Sequence, residues 1–106
     1  HGFHLHTTGK CEAPGFDSAG GHLNPYGRSH GTLAASGPHL GDMPNIAVGP
    51  SGSGAATFAL PGEQPGALEA IFDADGTAVI VHAGPDDYRT DPSGNSGPRV
   101  ACGVLR

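Results

Sequence analysis

The strongest strand signal in this 106-residue chain is residues 77–83, which read TAVIVHA. Three successive β-branched residues, Val79, Ile80 and Val81, give this segment the side-chain shape that favours a strand. Residues 2–6, GFHLH, alternate apolar and imidazole side chains with period two, as a strand with two different faces does. Residues 99–105, RVACGVL, form the last predicted strand. Together these segments predict an all-β fold.

Weaker strand signals lie at residues 46–48, 55–60 and 67–72, and no window shows convincing helical periodicity. The 19 glycines and 10 prolines concentrate in residues 9–54 and 84–98, which we predict to be two long loops. Long loops in a compact domain are usually functional or disordered. Histidines and aspartates within them favour a metal as the organiser, and a flexible surface excursion is the alternative that composition leaves open. We expect residues 1–106 to form a single domain.

The composition excludes some classes of function. The net charge is −5, Lys10 is the only lysine, and the four arginines are scattered, which argues against nucleic-acid binding. No apolar run approaches the roughly 18 residues that a membrane-spanning helix needs. Large apolar residues are scarce, and tryptophan is absent from the sequence. A core built from so few of them needs further constraints, and the two cysteines and seven histidines are the candidates.

Six histidines and one aspartate have types and spacings that suit metal binding. His4 and His6 lie two apart on a predicted strand, so their imidazoles emerge on one face, about 7 Å apart. Three loop histidines followed by an aspartate give three nitrogens and one oxygen, a tetrahedral set that suits zinc. The last candidate ends the strongest strand. The full set is His4, His6, His22, His30, His39, Asp42 and His82. Each histidine alone is better explained as an ordinary surface or core residue, but seven in 106 residues favour a shared role.

Six segments carry motifs that are specific in combination. They are residues 2–11 (GFHLHTTGKC), 18–25 (SAGGHLNP), 30–31 (HG), 39–45 (HLGDMPN), 79–84 (VIVHAG) and 97–104 (GPRVACGV). In content and order they resemble the motifs of the bacterial-type copper,zinc superoxide dismutase family, and the resemblance runs from His1 to Leu105. That resemblance implies a Greek-key β-barrel, an immunoglobulin-like sandwich with two long functional loops.

The resemblance also implies a site. It implies copper bound by His4, His6, His22 and His82, and zinc bound by His22, His30, His39 and Asp42. His22 would then bridge both metals. Asp86 would link a copper ligand to a zinc ligand and fix their tautomers, with the neighbouring Asp87 as the alternative. Arg99 would lie beside the copper and orient superoxide, the alternative being an ordinary surface arginine. Cys11 and Cys102 would form a disulfide, the alternative being two free buried thiols.

The implied activity is dismutation of superoxide to O₂ and H₂O₂ at the copper, with zinc shaping the site and His22 taking up a proton. The alternatives are a copper-delivery domain and a metal-storage protein, neither of them catalytic. A disulfide favours a periplasmic or secreted location. A homodimer is left open.

Two departures from the family pattern change the expectations. The first three strands of the family fold precede the segment that opens this sequence, so we expect a barrel that lacks its N-terminal strands. A fragment, a chain paired with another chain, and a degenerate product would each explain this. The second loop also has no lysine, and Arg89 and Arg99 are its only positive charges. We therefore expect weaker electrostatic steering of superoxide and a smaller dependence of rate on salt.

Overall fold

The computed structural model describes residues 1–31, 33–57 and 67–105. These residues contain four strands, β1 (Phe3–His6), β2 (Asp42–Met43), β3 (Thr77–His82) and β4 (Arg99–Leu105), with one short helix, α1 (Ala67–Ile71), and a 3₁₀-helix at Asp17–Ala19. The strands form one antiparallel sheet in the order β2-β1-β3-β4. The predicted strands at residues 2–6, 77–83 and 99–105 are confirmed, and so is the all-β class.

Two of the weaker strand predictions are wrong. Residues 67–72 contain helix α1 rather than a strand, because Ala, Leu and Glu favour helix and a segment of six residues is too short to show a clear period. Residues 46–48 form no strand, although Ile46 exchanges two backbone hydrogen bonds with His1. Val48 is largely exposed, so nothing buries a sheet face there. In the third segment, residues 55–57 are not in a strand, and residues 58–60 lie outside the described part of the chain.

The sheet has two chemically different faces because side chains alternate along each strand. On the apolar face, Leu5 and Met43 pack with Leu23, Leu40 and Ile71 of α1 and the loops. The opposite face, here called the histidine face, carries the even-numbered residues of β1 and β3. It comprises His4, His6, Asp42, Ala78, Ile80 and His82. The histidine face of the two central strands is buried, whereas Phe3, Val79 and Val81 on the apolar face are half-buried.

A β-bulge re-aims the start of β4. Ile80 pairs with Cys102 and Val81 with Ala101, but His82 then pairs with Arg99, so that Val100 is the extra residue. Without this shift Val100 would lie opposite His82. Bulges change the direction of a side chain in this way next to functional sites. Arg99 consequently becomes the cross-strand neighbour of a histidine-face residue.

Two kinds of link hold the first loop against the sheet. Backbone hydrogen bonds from Leu23 N to Leu5 O (2.8 Å) and from Thr7 N to Gly21 O (3.0 Å) run the loop beside β1 and bring His22 next to His6. A disulfide joins Cys11 to Cys102 of β4, with 5.6 Å between the Cα atoms. The disulfide that the resemblance implied is present. It ties β4 to the start of the loop that carries four of the candidate ligands.

Candidate metal centre

Four buried imidazoles converge on the histidine face. They come from the two central strands and the adjoining loop, and they belong to His4, His6, His22 and His82. Each offers a ligand nitrogen, and these four nitrogens lie within 4.8 Å of one another. The closest ring centroids are those of His4 and His22, at 4.1 Å. The sequence prediction grouped these same four residues.

Hydrogen bonds settle which nitrogen of each ring is free. His6 Nδ1 donates to Gly20 O at 2.8 Å, and His82 Nδ1 donates to Gly97 O at 3.0 Å. His4 uses Nε2, which is 2.6 Å from an Asp86 oxygen, and His22 uses Nδ1, which is 2.9 Å from an Asp42 oxygen. Carbonyl and carboxylate oxygens only accept, so the bonded nitrogen carries the proton and the other nitrogen keeps a lone pair.

These four lone-pair nitrogens are buried and have no hydrogen-bond partner. They are His4 Nδ1, His6 Nε2, His22 Nε2 and His82 Nε2. A buried polar atom left without a partner costs about 1–3 kcal/mol, and four clustered atoms of this kind are not expected in a stable interior. Neutral imidazole nitrogens are common ligands of copper and zinc, and a bound metal ion would satisfy all four.

The pKa values of these rings agree with a ligand role. Burial lowers the pKa of His4 to about 4 and that of His6 to about 3. Burial also lowers the pKa values of His22 and His82. All four rings are therefore neutral near pH 7, the state in which a nitrogen lone pair can bind a metal.

A second cluster surrounds one oxygen of Asp42. This Oδ1 atom lies 2.9 Å from His22 Nδ1, 3.0 Å from His30 Nδ1 and 3.2 Å from His39 Nδ1. His39 Nδ1 and His22 Nδ1 are 3.3 Å apart. Ligands about 2.0 Å from a tetrahedral zinc ion lie about 3.3 Å from one another, so these spacings are close to those of a zinc site. The other Asp42 oxygen accepts hydrogen bonds from the Gly31 and His39 backbone N–H groups, which fixes the carboxylate.

Distance alone would also group His4 with His22, His30 and Asp42. Hydrogen bonding argues against that set, since His4 Nε2 is held by Asp86 and its free Nδ1 belongs to the partnerless group. We therefore assign His39, rather than His4, to the cluster around Asp42. His22 takes part in both clusters, with Nδ1 in one and Nε2 in the other, and Nδ1 would release the proton that it shares with Asp42 if a metal bound there.

Asp86 connects the two clusters. One carboxylate oxygen lies 2.6 Å from His4 Nε2, and the other lies 2.8 Å from His30 Nε2. His30 thus faces a carboxylate at each nitrogen. Burial opposes its charge, but the hydrogen bonds with Asp42 and Asp86 outweigh burial and raise the pKa of His30 to about 9. Asp87, the alternative considered from sequence, bonds instead to Arg89 and Thr90 of its own loop.

A cavity of about 490 Å³ opens onto the four-imidazole cluster. His6, His22, His82 and Arg99 line it together with parts of both loops. The Arg99 guanidinium donates to Phe16 O at 2.8 Å and to Gly20 O at 2.6 Å, so it is held at the cavity wall. Five N–H donors are present in a guanidinium, and donors beyond these two remain for an anion.

Comparison with known proteins agrees with this geometry. The family model described as copper/zinc superoxide dismutase (SODC) matches residues 1–105. The chain belongs to the copper/zinc superoxide dismutase family. It is 48% identical to Superoxide dismutase (Cu-Zn) 2 of Aquifex aeolicus (strain VF5) over 106 residues, which are 98% of this chain and 62% of that protein. It is 44% identical to the superoxide dismutase-like protein YojM of Bacillus subtilis (strain 168), covering 98% of this chain and 54% of that protein.

A solved structure shares the fold. The crystal structure of a superoxide dismutase-like protein from Bacillus subtilis superposes with a TM-score of 0.85 at 42% identity, covering 99% of this chain and 71% of that one. The β-sandwich fold of copper/zinc superoxide dismutases is therefore confirmed for this chain. The chain spans 62% and 54% of the two curated relatives named above. In the described residues, no helix has the length and apolar character that crossing a membrane requires.

Sequence reasoning missed three contributors to this superoxide dismutase-family site. The Gly20 carbonyl accepts from both His6 and Arg99, and a carbonyl leaves no trace in a sequence. A Cβ on Gly94 would overlap the Asp86 carboxylate, and glycines are too common here to single this one out. Asn45 lies in a recognised motif without any assigned role, and it bonds to Asp86.

Proposed function

We propose that this chain is the metal-binding and catalytic part of a superoxide dismutase. It would bind copper through His4, His6, His22 and His82. It would bind zinc through His22, His30, His39 and Asp42. The net reaction converts two superoxide anions and two protons into O₂ and H₂O₂. The observation that carries the proposal is the group of four partnerless, buried imidazole nitrogens at the foot of a cavity that also holds Arg99.

The two clusters suit different metals. The partnerless set consists of nitrogens only, which suits copper, and three of its rings line the open cavity. The Asp42 set has three nitrogens and one oxygen at near-tetrahedral spacing and is buried, which suits a closed, structural zinc site. Copper, when bound, supplies a one-electron redox centre that takes an electron from one superoxide and gives it to the next.

The residues of the chain would supply binding, orientation and protons. Arg99 presents its remaining N–H donors to the cavity and would orient the superoxide anion by charge-assisted hydrogen bonds. His22 would hold a proton at Nε2 and deliver it to the reduced product, with water supplying the second proton. Its Nδ1 stays engaged by the Asp42 cluster, so the ring keeps its place while Nε2 gains or loses the proton.

A second candidate function is metal binding without turnover, for storage or delivery of copper. The similarity to proteins named superoxide dismutase-like is the observation that favours it. The presence of all four imidazoles, three of which line the same cavity as Arg99, favours catalysis instead. We also propose a periplasmic or secreted location from the disulfide, and superoxide as the small-molecule partner. A homodimer remains a proposal as well.

A metal-reconstituted preparation tests the proposed function. Copper and zinc are counted by elemental analysis, and superoxide decay is followed by stopped flow. We expect turnover by the wild type and a 10–100-fold lower rate for Arg99→Ala, because the variant loses one or two charge-assisted hydrogen bonds to the anion. Arg89→Ala is the matched control, because Arg89 is exposed and does not line the cavity. Bound copper without turnover would contradict catalysis and support the storage function.

A further inference from the structure

Asn45 holds the backbone of the residue that connects the two metal clusters. We propose that Asn45 is a positioning residue, which clamps Asp86 so that its carboxylate can bond His4 and His30 simultaneously. The inference rests on the proposed function, since it concerns the same two metal sites. Asn45 would thus affect metal affinity through ligand atoms that it does not itself contact.

The clamp consists of two hydrogen bonds made by one side-chain amide. Asp86 N donates to Asn45 Oδ1 at 2.8 Å, and Asn45 Nδ2 donates to Asp86 O at 3.1 Å. Two bonds from a planar group fix both the position and the orientation of the backbone they hold. The Asn45 backbone N–H in turn donates to the Tyr88 hydroxyl at 2.9 Å, and Tyr88 N donates to an Asp86 oxygen at 2.7 Å. The amide and the carboxylate therefore belong to one local network.

Asp86 needs this support for its backbone, although Tyr88 of its own loop bonds its carboxylate. It lies between β3 and β4 in a segment without regular structure, so no strand ladder fixes its backbone. Its carboxylate nevertheless meets two rings, His4 at 2.6 Å and His30 at 2.8 Å. A shift of about 1 Å would break one or both of these bonds. Gly94 also closes in on the carboxylate, because even a Cβ there would overlap it.

The position of Asn45 in the chain explains how one segment can serve both clusters. Asn45 follows Asp42 by three residues and lies two residues beyond the end of β2. Asp42 is the central acceptor of the second cluster, and β2 is hydrogen-bonded to β1, which carries His4. Residues 42–45 thus carry the Asp42 carboxylate themselves and position the Asp86 carboxylate through the amide clamp.

Asn24 provides a matched control. Its amide clamps a different backbone with the same pair of bonds, from Arg28 N to Asn24 Oδ1 at 2.8 Å and from Asn24 Nδ2 to Arg28 O at 2.9 Å. Arg28 bonds to no candidate metal ligand among the described contacts. Asn24→Ala therefore removes an equivalent clamp and leaves Asp86 untouched.

The first experiment is NMR of the metal-free protein, observing the imidazole Nε2–H protons of His4 and His30. Hydrogen bonds to a buried carboxylate slow their exchange with water. We expect Asn45→Ala to speed this exchange at least tenfold and Asn24→Ala to leave it unchanged. Equal exchange in wild type and Asn45→Ala would overturn the inference.

The second experiment is a double-mutant cycle on zinc affinity, measured by chelator competition with zinc alone. Outer hydrogen-bond partners of metal ligands typically contribute 10–100-fold in affinity, so we expect Asn45→Ala to weaken zinc binding about tenfold. In an Asp86→Asn background the same change should cost less than about twofold, because Asn45 acts through the Asp86 carboxylate. An equal loss in both backgrounds would indicate a general structural effect and overturn the inference.

Two further results separate this inference from the proposed function. If the mutant cycle shows coupling between Asn45 and Asp86 but the wild-type protein consumes no superoxide, dismutation is contradicted and the role of Asn45 is supported. If the wild-type protein consumes superoxide but the effects of the two substitutions on zinc affinity are additive, the role of Asn45 alone is overturned. If Asn45→Ala does not fold, Asn45→Asp keeps the acceptor for Asp86 N–H and loses the donor. We expect an intermediate zinc affinity for it, and a wild-type affinity would overturn the inference.

Discussion

The disulfide between Cys11 and Cys102 should supply a large part of the stability of this chain. The two cysteines are 91 residues apart in sequence, so the bond closes a loop that includes most of the protein. In the chain-entropy model a loop of this size lowers the entropy of the unfolded chain by an amount worth about 4–5 kcal/mol at 25 °C. Domains are typically stable by only about 5–15 kcal/mol, so the loss is a large fraction of the total.

The test is urea unfolding of the metal-free protein, comparing wild type with the Cys11→Ala/Cys102→Ala double variant. We expect the free energy of unfolding to fall by about 3–5 kcal/mol, with reduced wild type showing a similar fall. Part of the loss is local, because Cys102 packs with Ala19 and Ile80 beneath the loop. A loss below about 1 kcal/mol in both the variant and the reduced protein would refute the reasoning.

Three further predictions concern ligands, charge and pH. His6→Ala should lower bound copper and retain about one zinc per chain, whereas His22→Ala should lower both copper and zinc. Elemental analysis measures both metals. An equal loss of zinc in the two variants would contradict the assignment of His22 to both metal sites. Among the described residues, Asp17 is the one acidic residue that lines the cavity. Asp17→Asn should therefore raise the rate of superoxide decay about two- to threefold at low salt, because this is the Coulomb effect of one exposed charge at several ångströms in water. A lowered rate would contradict this prediction. Hydrogen bonds from Thr90 and the backbone lower the pKa of Asp87 from 3.8 to about 2, so its contribution to stability is present above pH 4 and is lost as the pH falls toward 2. The melting temperature of Asp87→Ala should accordingly lie below that of wild type at pH 6 and approach it as the pH falls to about 2. A difference that stays constant with pH would argue against ionisation as the cause.

The strands that the sequence predicted are those with a strong local signal. β3 has three β-branched residues in succession, and β1 alternates two kinds of side chain, so both are readable without tertiary information. α1 was missed because a short apolar segment fits either state, and its choice depends on packing Ile71 against the apolar core. β2 has only two residues, Asp42 and Met43, and exists because β1 pairs with it.

The candidate ligands could be named from sequence because histidine at characteristic spacings is rare by chance. The contacts that orient these ligands could not be predicted from the sequence. Gly20 acts through a carbonyl, which every residue has, and Asn45 acts through an amide that resembles many surface amides. Arg99 was expected at the site from its motif, yet its direction depends on the bulge in β4, a property of pairing between strands.

That bulge also sets what kinds of change β4 can absorb. Val100 is the extra residue, and its side chain is 53% exposed, so its identity matters little for packing. Replacing Val100 leaves the residue count between Arg99 and Cys102 intact. Deleting it would remove the bulge and place Arg99 in the regular position opposite His82, so the guanidinium would lose the displacement that the bulge gives it, although every residue with a chemical role would still be in the sequence. A change in the number of residues between Arg99 and Cys102 therefore alters the placement of the guanidinium in a way that a substitution at Val100 does not.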